Sequence, residues 1–270
     1  MLGLRGDFYR KLDLKLMKRF DHLIAVSHAT KAEMVDAGVP EDIITVIHNG
    51  IDTEAWASAR ASGNIREELK ISASTPVVGY VGRISPEKDL DTWLRAAALV
   101  ADSVPAARFV LVGDGRDGNT QDQLEQLAVS LGIGDRVFFA GYRHNLLPVY
   151  AAFDTFLLSS RREGLPNSLL EAMAMGVPVV TTDVAGAKEL VLDGRTGFVL
   201  PQGDVEGIAR ALIVLAGDDR MRKQMGQSSL DRVEKEFSFT NRLQRVEALY
   251  EDILDLERQS RLASKVGVAS

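Results

Sequence analysis

The chain has 270 residues, 46% apolar and 26% charged, which specifies an ordinary globular protein with room for one large or two modest domains. A formal charge of −6 and a pI near 5.4 lack the basic excess of a nucleic-acid binder, so no such partner is expected. Cysteine is absent, and His22, His28, His48 and His144 show no HExxH or paired-ligand spacing, which removes disulfides and thiolate chemistry and argues against a metal site.

The first stretch, residues 8–20, reads as a helix with Phe8, Leu12, Leu16 and Phe20 in an i, i+4 stripe flanked by Arg10, Lys11, Lys15, Lys18 and Arg19. Such a basic amphipathic helix suits either an anionic membrane surface or a protein face, and its uncovered apolar side calls for a partner: a second copy, another chain or lipid. The same stretch lacks the apolar region of a signal peptide, and no run approaches the roughly 18 apolar residues of a membrane span. A cytoplasmic chain, with membrane-peripheral contact as its variant, is therefore expected. A strand (21–27), a helix (28–37) and a second strand (44–50) follow. One helix between two strands is too little to close a core alone. Residues 51–75 read as a polar linker.

From residue 76 short apolar runs alternate with amphipathic stretches of helix length. The candidate strands are 76–82, 107–113, 136–141, 154–160, 178–182 and 197–200. Continuous Val, Phe and Leu runs separated by helices imply a parallel sheet covered on both faces, with ligands at the carboxyl ends of its strands. Helical patterns at 204–216, 218–235 and 239–258 and a polar tail (259–270) complete the chain. The sheet domain is placed at 76–236 and a separate C-terminal helix at 237–258.

The most informative stretch is EGLPNSLLEA, residues 163–172. Pro166 fits the first position of a helix that follows a buried strand, and unpaired N–H groups at that junction make an anion site. Glu163 and Glu171 bracket it. Carboxylates beside an anion site repel the anion unless they hold hydroxyl groups next to it, as a diphosphate flanked by two sugars would require. Glu171, about 6 Å into the helix at ~1.5 Å per residue, suits a ribose, and Glu163 a second sugar. At the end of the first sheet strand, Gly79 and Gly82 allow close backbone approach, and Arg83 and Lys88 offer a fork and a point charge for the diphosphate. Two other motifs are weaker. GDGRDG (113–118) matches a dinucleotide fingerprint, but the next strand ends without the acid a ribose needs, so NAD is not expected. Asp89 and Asp91 match DxD but stand where acids favour a helix N-terminus.

HNGID, VGRISPEKD, LVGDG, FAGY, EGLPNSLLEAMAMGVPVV, AGAKELV and GRTGFVLP together resemble the retaining GT-B glycosyltransferases of group 1, or family 4, from residue 20 to about 258. The resemblance implies a Rossmann-like, doubly wound parallel sheet that binds a nucleoside-diphosphate sugar as substrate, with no cofactor and no metal. It implies that Arg83 and Lys88, beside Gly82, hold the diphosphate and that the turn of Gly164, Leu165, Pro166 and Asn167 lies against it with its backbone N–H groups, Pro166 having none of its own. Glu163 would hold the sugar as the catalytic carboxylate, Glu171 the ribose, and Tyr142 and Arg143 would lie near the base. Asp89 and Ala185 depart from the family by standing where glycine is common. The resemblance also implies that residues 1–50 are a remnant of the family's N-terminal α/β acceptor domain, whose glycine-rich loop and histidine have no match there. A retaining hexosyl-type transferase is the expected function; a nucleotide-sugar-binding module without turnover is the alternative.

Overall fold

The computed structural model describes residues 16–59, 65–115 and 118–266. The expected stripe of Phe8 and Leu12 lies outside them; Leu16 and Phe20, which lie inside, are exposed. The N-terminal segment is a βαβ unit: β1 (Leu23–Ala25), α1 (His28–Asp36) and β2 (Ile44–Val46), with β1 and β2 paired in parallel, Leu23 opposite Ile44. Both strands are shorter than their apolar runs. Ser27 caps α1 by accepting from the Thr30 N–H at 3.0 Å. Only Ala25, Val39 and Ile44 form a buried cluster here, so one helix on two strands encloses very little.

The main sheet has six parallel strands: β3 (Val77–Val81), β4 (Arg108–Val112), β5 (Val137–Phe139), β6 (Thr155–Leu158), β7 (Val179–Thr182) and β8 (Gly197–Leu200). Their order is β5-β4-β3-β6-β7-β8. Every residue of β3, β6 and β7 is buried, which demands helices on both faces. The crossover helices α3 (Leu90–Ser103), α4 (Gly118–Ser130) and α6 (Asn167–Ala174), with α8 (Val205–Gly217) and α9 (Asp219–Glu236), supply them. α3 packs on α4 and α8, and α6 packs on α9. Between these helices lie α5 (Leu147–Tyr150) before β6 and α7 (Ala187–Leu190) after β7. Trp93 of α3 is fully buried, and its indole N–H donates to the Leu157 carbonyl at 3.2 Å. The chain winds outward from β3 to β5, then returns to the other side of β3 with β6. The strand order therefore reverses between β3 and β6, and the carboxyl ends of these two strands flank the crevice in which such sheets bind ligands.

Two stretches differ from their sequence reading. The expected linker, 51–75, contains helix α2 (Thr53–Ala59), and Ile51, Ile65 and Ile71 join the main core. Arg66 is buried with them; it donates to the carbonyls of Ser72, Ala73, Thr75 and Ala152 and pairs with Asp154 at 2.8 Å. Three isolated isoleucines show no period, and an arginine that works through carbonyls leaves no pattern. The last helix, α10 (Phe239–Val266), runs well past residue 258, because no Pro or Gly interrupts it before Gly267.

Candidate functional site

Three loops meet at the β3/β6 switch point. The loop after β3 carries Gly82, Arg83, Ser85 and Lys88. The loop after β6 carries Ser159, Ser160 and Glu163. The turn 164–166 opens α6. They are stitched together by backbone: Ser159 Oγ donates to the Lys88 and Asp89 carbonyls at 3.0 Å, and the Arg161 N–H donates to the Glu87 carbonyl at 2.8 Å. Asp89, where glycine is common in the family, does adopt a left-handed conformation with φ 49°. Its buried carboxylate accepts from Arg161 at 2.8 Å and Thr92 at 2.9 Å, contacts that a glycine would lack.

Lys88 Nζ and Ser160 Oγ both donate to Oε1 of Glu163, each at 2.6 Å. The Lys88 and Glu163 side chains are only 18% and 12% exposed. At the other end of the turn, Tyr150 donates to Oε2 of Glu171 at 2.7 Å. Burial pushes the Glu171 carboxyl above the usual carboxylate range against the lowering effect of that bond. Burial, then the charge of Glu171, holds the Tyr150 phenol well above its ordinary value, so it remains a donor. Each glutamate thus has one oxygen fixed by the protein. Among the described residues, nothing donates to Oε2 of Glu163 or Oε1 of Glu171.

Between the glutamates, Leu165 and Pro166 are buried. Pro166 is the N-cap of α6, one position ahead of the expected site, and its carbonyl accepts from Leu169 at 3.1 Å and Leu170 at 3.4 Å. The N–H groups of Asn167 and Ser168 have no acceptor among the described residues. Arg83 is exposed, and its guanidinium makes no ion pair among them either. The Ser85 hydroxyl, on the same loop, is buried without a partner among the described residues. Tyr142 is 60% exposed and meets His144 edge-on at 4.9 Å. Arg143 pairs with Glu68 and donates to the Ala140 carbonyl.

Gly113, the first glycine of the apparent dinucleotide fingerprint, has a different duty. A Cβ there would stand 1.9 Å from the Gly82 carbonyl, so the glycine lets the β3 and β4 loops touch. Gly186 does the same beside the glutamates, where a Cβ would lie 2.2 Å from the Gly164 carbonyl. This close packing brings α7 against the turn and puts Glu189 at the N-terminal segment. Its carboxylate accepts from the N–H groups of His28 (2.9 Å) and Ala29 (3.1 Å) and from His48 Nε2 (2.7 Å). Asn49 donates to Asn167 Oδ1 at 2.8 Å and accepts from Arg242 at 3.2 Å. Ser160, Tyr150 and Glu189 carry no local signal of these roles, since their partners are fixed only by the fold.

A family model described as "Glycosyl transferases group 1" matches residues 62–232, and one described as "Glycosyltransferase Family 4" matches residues 2–55. The chain belongs to the group 1 glycosyltransferases. Among curated relatives, it is 30% identical over 246 residues to the N-acetyl-alpha-D-glucosaminyl L-malate synthase of Bacillus anthracis, covering 91% of this chain and 63% of that protein. It is 35% identical over 173 residues to the lipopolysaccharide core biosynthesis glycosyltransferase LpsE of Rhizobium meliloti, covering 64% and 49%. Among solved structures, Anabaena HepE in complex with UDP and glucose superposes with a TM-score of 0.82 at 27% identity, covering 89% of this chain and 66% of that one. The chain therefore spans less than two thirds of the length of these relatives, and its sheet is the Rossmann-like half of a GT-B fold. No helix among the described residues is long and apolar enough to cross a membrane.

Proposed function

We propose that this chain is the donor half of a glycosyltransferase and holds a nucleoside-diphosphate sugar across the β3/β6 switch point. The observation that carries this is the pair Glu163 and Glu171. Each carboxylate has one oxygen fixed and one open, on either side of a turn with unpaired N–H groups, facing the loop of Arg83 and Lys88. The open oxygen of Glu171 accepts from the ribose and that of Glu163 from the transferred sugar. Lys88 has three N–H donors and serves Glu163 with one. The others, with Arg83 and the N–H groups of Asn167 and Ser168, meet the phosphates. As the bond from the sugar to the diphosphate breaks, these donors stabilise the charge that develops on the departing oxygen. Tyr142 offers its exposed ring to the base, beside Arg143.

HepE has been crystallised with UDP-glucose, which supports a nucleotide-sugar donor, while a GDP-mannose-dependent alpha-mannosyltransferase of Mycobacterium tuberculosis, 32% identical over 189 residues, uses another base and sugar. Retention of configuration by front-face attack rests on the family resemblance. The buried cluster of residues 23–46 is too small to form an acceptor wall. The 270-residue polypeptide alone is therefore expected to bind donor but to transfer sugar slowly. The test is calorimetry of the chain with UDP, GDP, ADP and NAD in the presence of chelator. Binding of a nucleoside diphosphate is expected; binding of NAD alone contradicts the reading.

A further inference from the structure

A second cluster lies beside the donor site and plays no part in it. Glu189 of α7, His28 at the head of α1 and His48 after β2 converge, with one ligand atom from each lying within 4.8 Å of the others. His48 Nε2 stands 2.7 Å from Oε2 of Glu189, and the His28 ring meets the His48 ring edge-on, their centroids 5.8 Å apart. We propose that His28, His48 and Glu189 form a binding site for a divalent transition-metal ion, zinc or a neighbour, that clamps the N-terminal segment to the main sheet.

The donor set points to this class of ion. Two imidazoles and one carboxylate suit zinc, nickel, cobalt or copper, whereas magnesium and calcium require oxygen ligands. The carboxylate is already oriented by the N–H groups of His28 and Ala29, the kind of outer hydrogen bonding that supports a metal ligand. His48 is steadied by an edge-on contact with Phe237 at 5.5 Å. Around tetrahedral zinc, with bonds near 2.0–2.1 Å, ligand atoms lie about 3.3 Å apart. Closing the cluster therefore asks for a shift of roughly 1–2 Å, which the exposed His28 side chain can make by rotation. The ion binds Nε2 of the neutral His48 tautomer that carries its hydrogen on Nδ1, the hydrogen now shared with Oε2 passing through solvent to Nδ1, and water fills the remaining position. Sequence spacing hides the site, because Glu189 lies 141 positions from His48.

The experiment uses the untagged, chelator-treated chain titrated with zinc by calorimetry and with cobalt by visible absorption. One ion per chain is expected, with a cobalt spectrum of low coordination number. His28→Ala and Glu189→Gln should each weaken uptake by roughly tenfold or more. His22→Gln and His144→Gln change the only other histidines and should not weaken it. Zinc should also protect residues 28–48 from proteolysis, reversibly on adding chelator. His28 is exposed, so its variant keeps the test valid if the Glu189 variant loosens the segment. Failure of the wild-type chain to take up either ion overturns the proposal. So does uptake undiminished in His28→Ala.

Discussion

Residues 23–46 and residues 77–215 both alternate parallel strands with helices, but they are held in different ways. The larger region buries Trp93, Phe109, Phe156 and the whole of β3, β6 and β7, so its stability comes from apolar area removed from water. The smaller buries three apolar residues as a cluster and meets the main core through Val26, and its other ties are polar: Glu189 to the head of α1 and to His48, and Asn167 to Asn49. The same βαβ grammar thus yields a self-sufficient body in one case and a docked flap in the other. The docking groups Glu189 and Asn167 project from the elements that shape the donor site, so attachment and ligand binding share a neighbourhood.

The largest expected effect tests the self-sufficiency of the larger body. Arg66→Ala removes the donor for four carbonyls and the partner of Asp154, and should cost about 3–5 kcal/mol in chemical denaturation. A loss near zero would show that residues 65–75 are the linker their composition suggests. Next, Arg83→Ala and Lys88→Ala should each weaken nucleoside-diphosphate binding by about 1.5–3 kcal/mol while sparing the free nucleoside. Equal losses for both ligands would mean that neither cation touches phosphate.

Glu189→Ala probes the flap. Amide hydrogen exchange in residues 23–46 should gain about 1–2 kcal/mol of opening, with the main sheet unchanged. Acid should imitate the variant. Glu189 has a depressed pKa in the folded protein, so its contribution is complete above the ordinary carboxylate range and is lost as pH falls through the depressed value. Uniform exchange across both regions would mean that they unfold as one unit. The smallest effect is expected at Asp89→Gly, where relief of a left-handed backbone opposes loss of the bonds to Arg161 and Thr92. The net change should stay within about 1 kcal/mol.

The six sheet strands were legible to within a few residues because each is a short apolar run between polar loops, and β3, β6 and β7 are buried at every residue. The placement of Glu163, Glu171 and Lys88, at strand ends and around one turn, was legible from the same pattern of strands and turns. Their orienting partners were not. Ser160 is one of two serines before Glu163, and Tyr150 lies 21 positions from Glu171, so only the fold shows which hydroxyl meets which carboxylate. The role of Glu189 was hidden for the same reason: its partners belong to a different sheet. The motif at Gly113 was set aside for want of a ribose acid, but its actual duty was not legible, since close packing of two loops and a pyrophosphate cradle both call for glycine.

The central claim is that Glu163 and Glu171 serve different parts of one ligand. Calorimetry of Glu163→Ala and Glu171→Ala, each with the bare nucleoside diphosphate and with its sugar conjugate, tests it directly. Loss of Glu171 should weaken both ligands alike, and loss of Glu163 should weaken the nucleotide sugar alone. If Glu163→Ala instead costs the bare diphosphate as much as its conjugate, the two carboxylates do not divide the ligand between them.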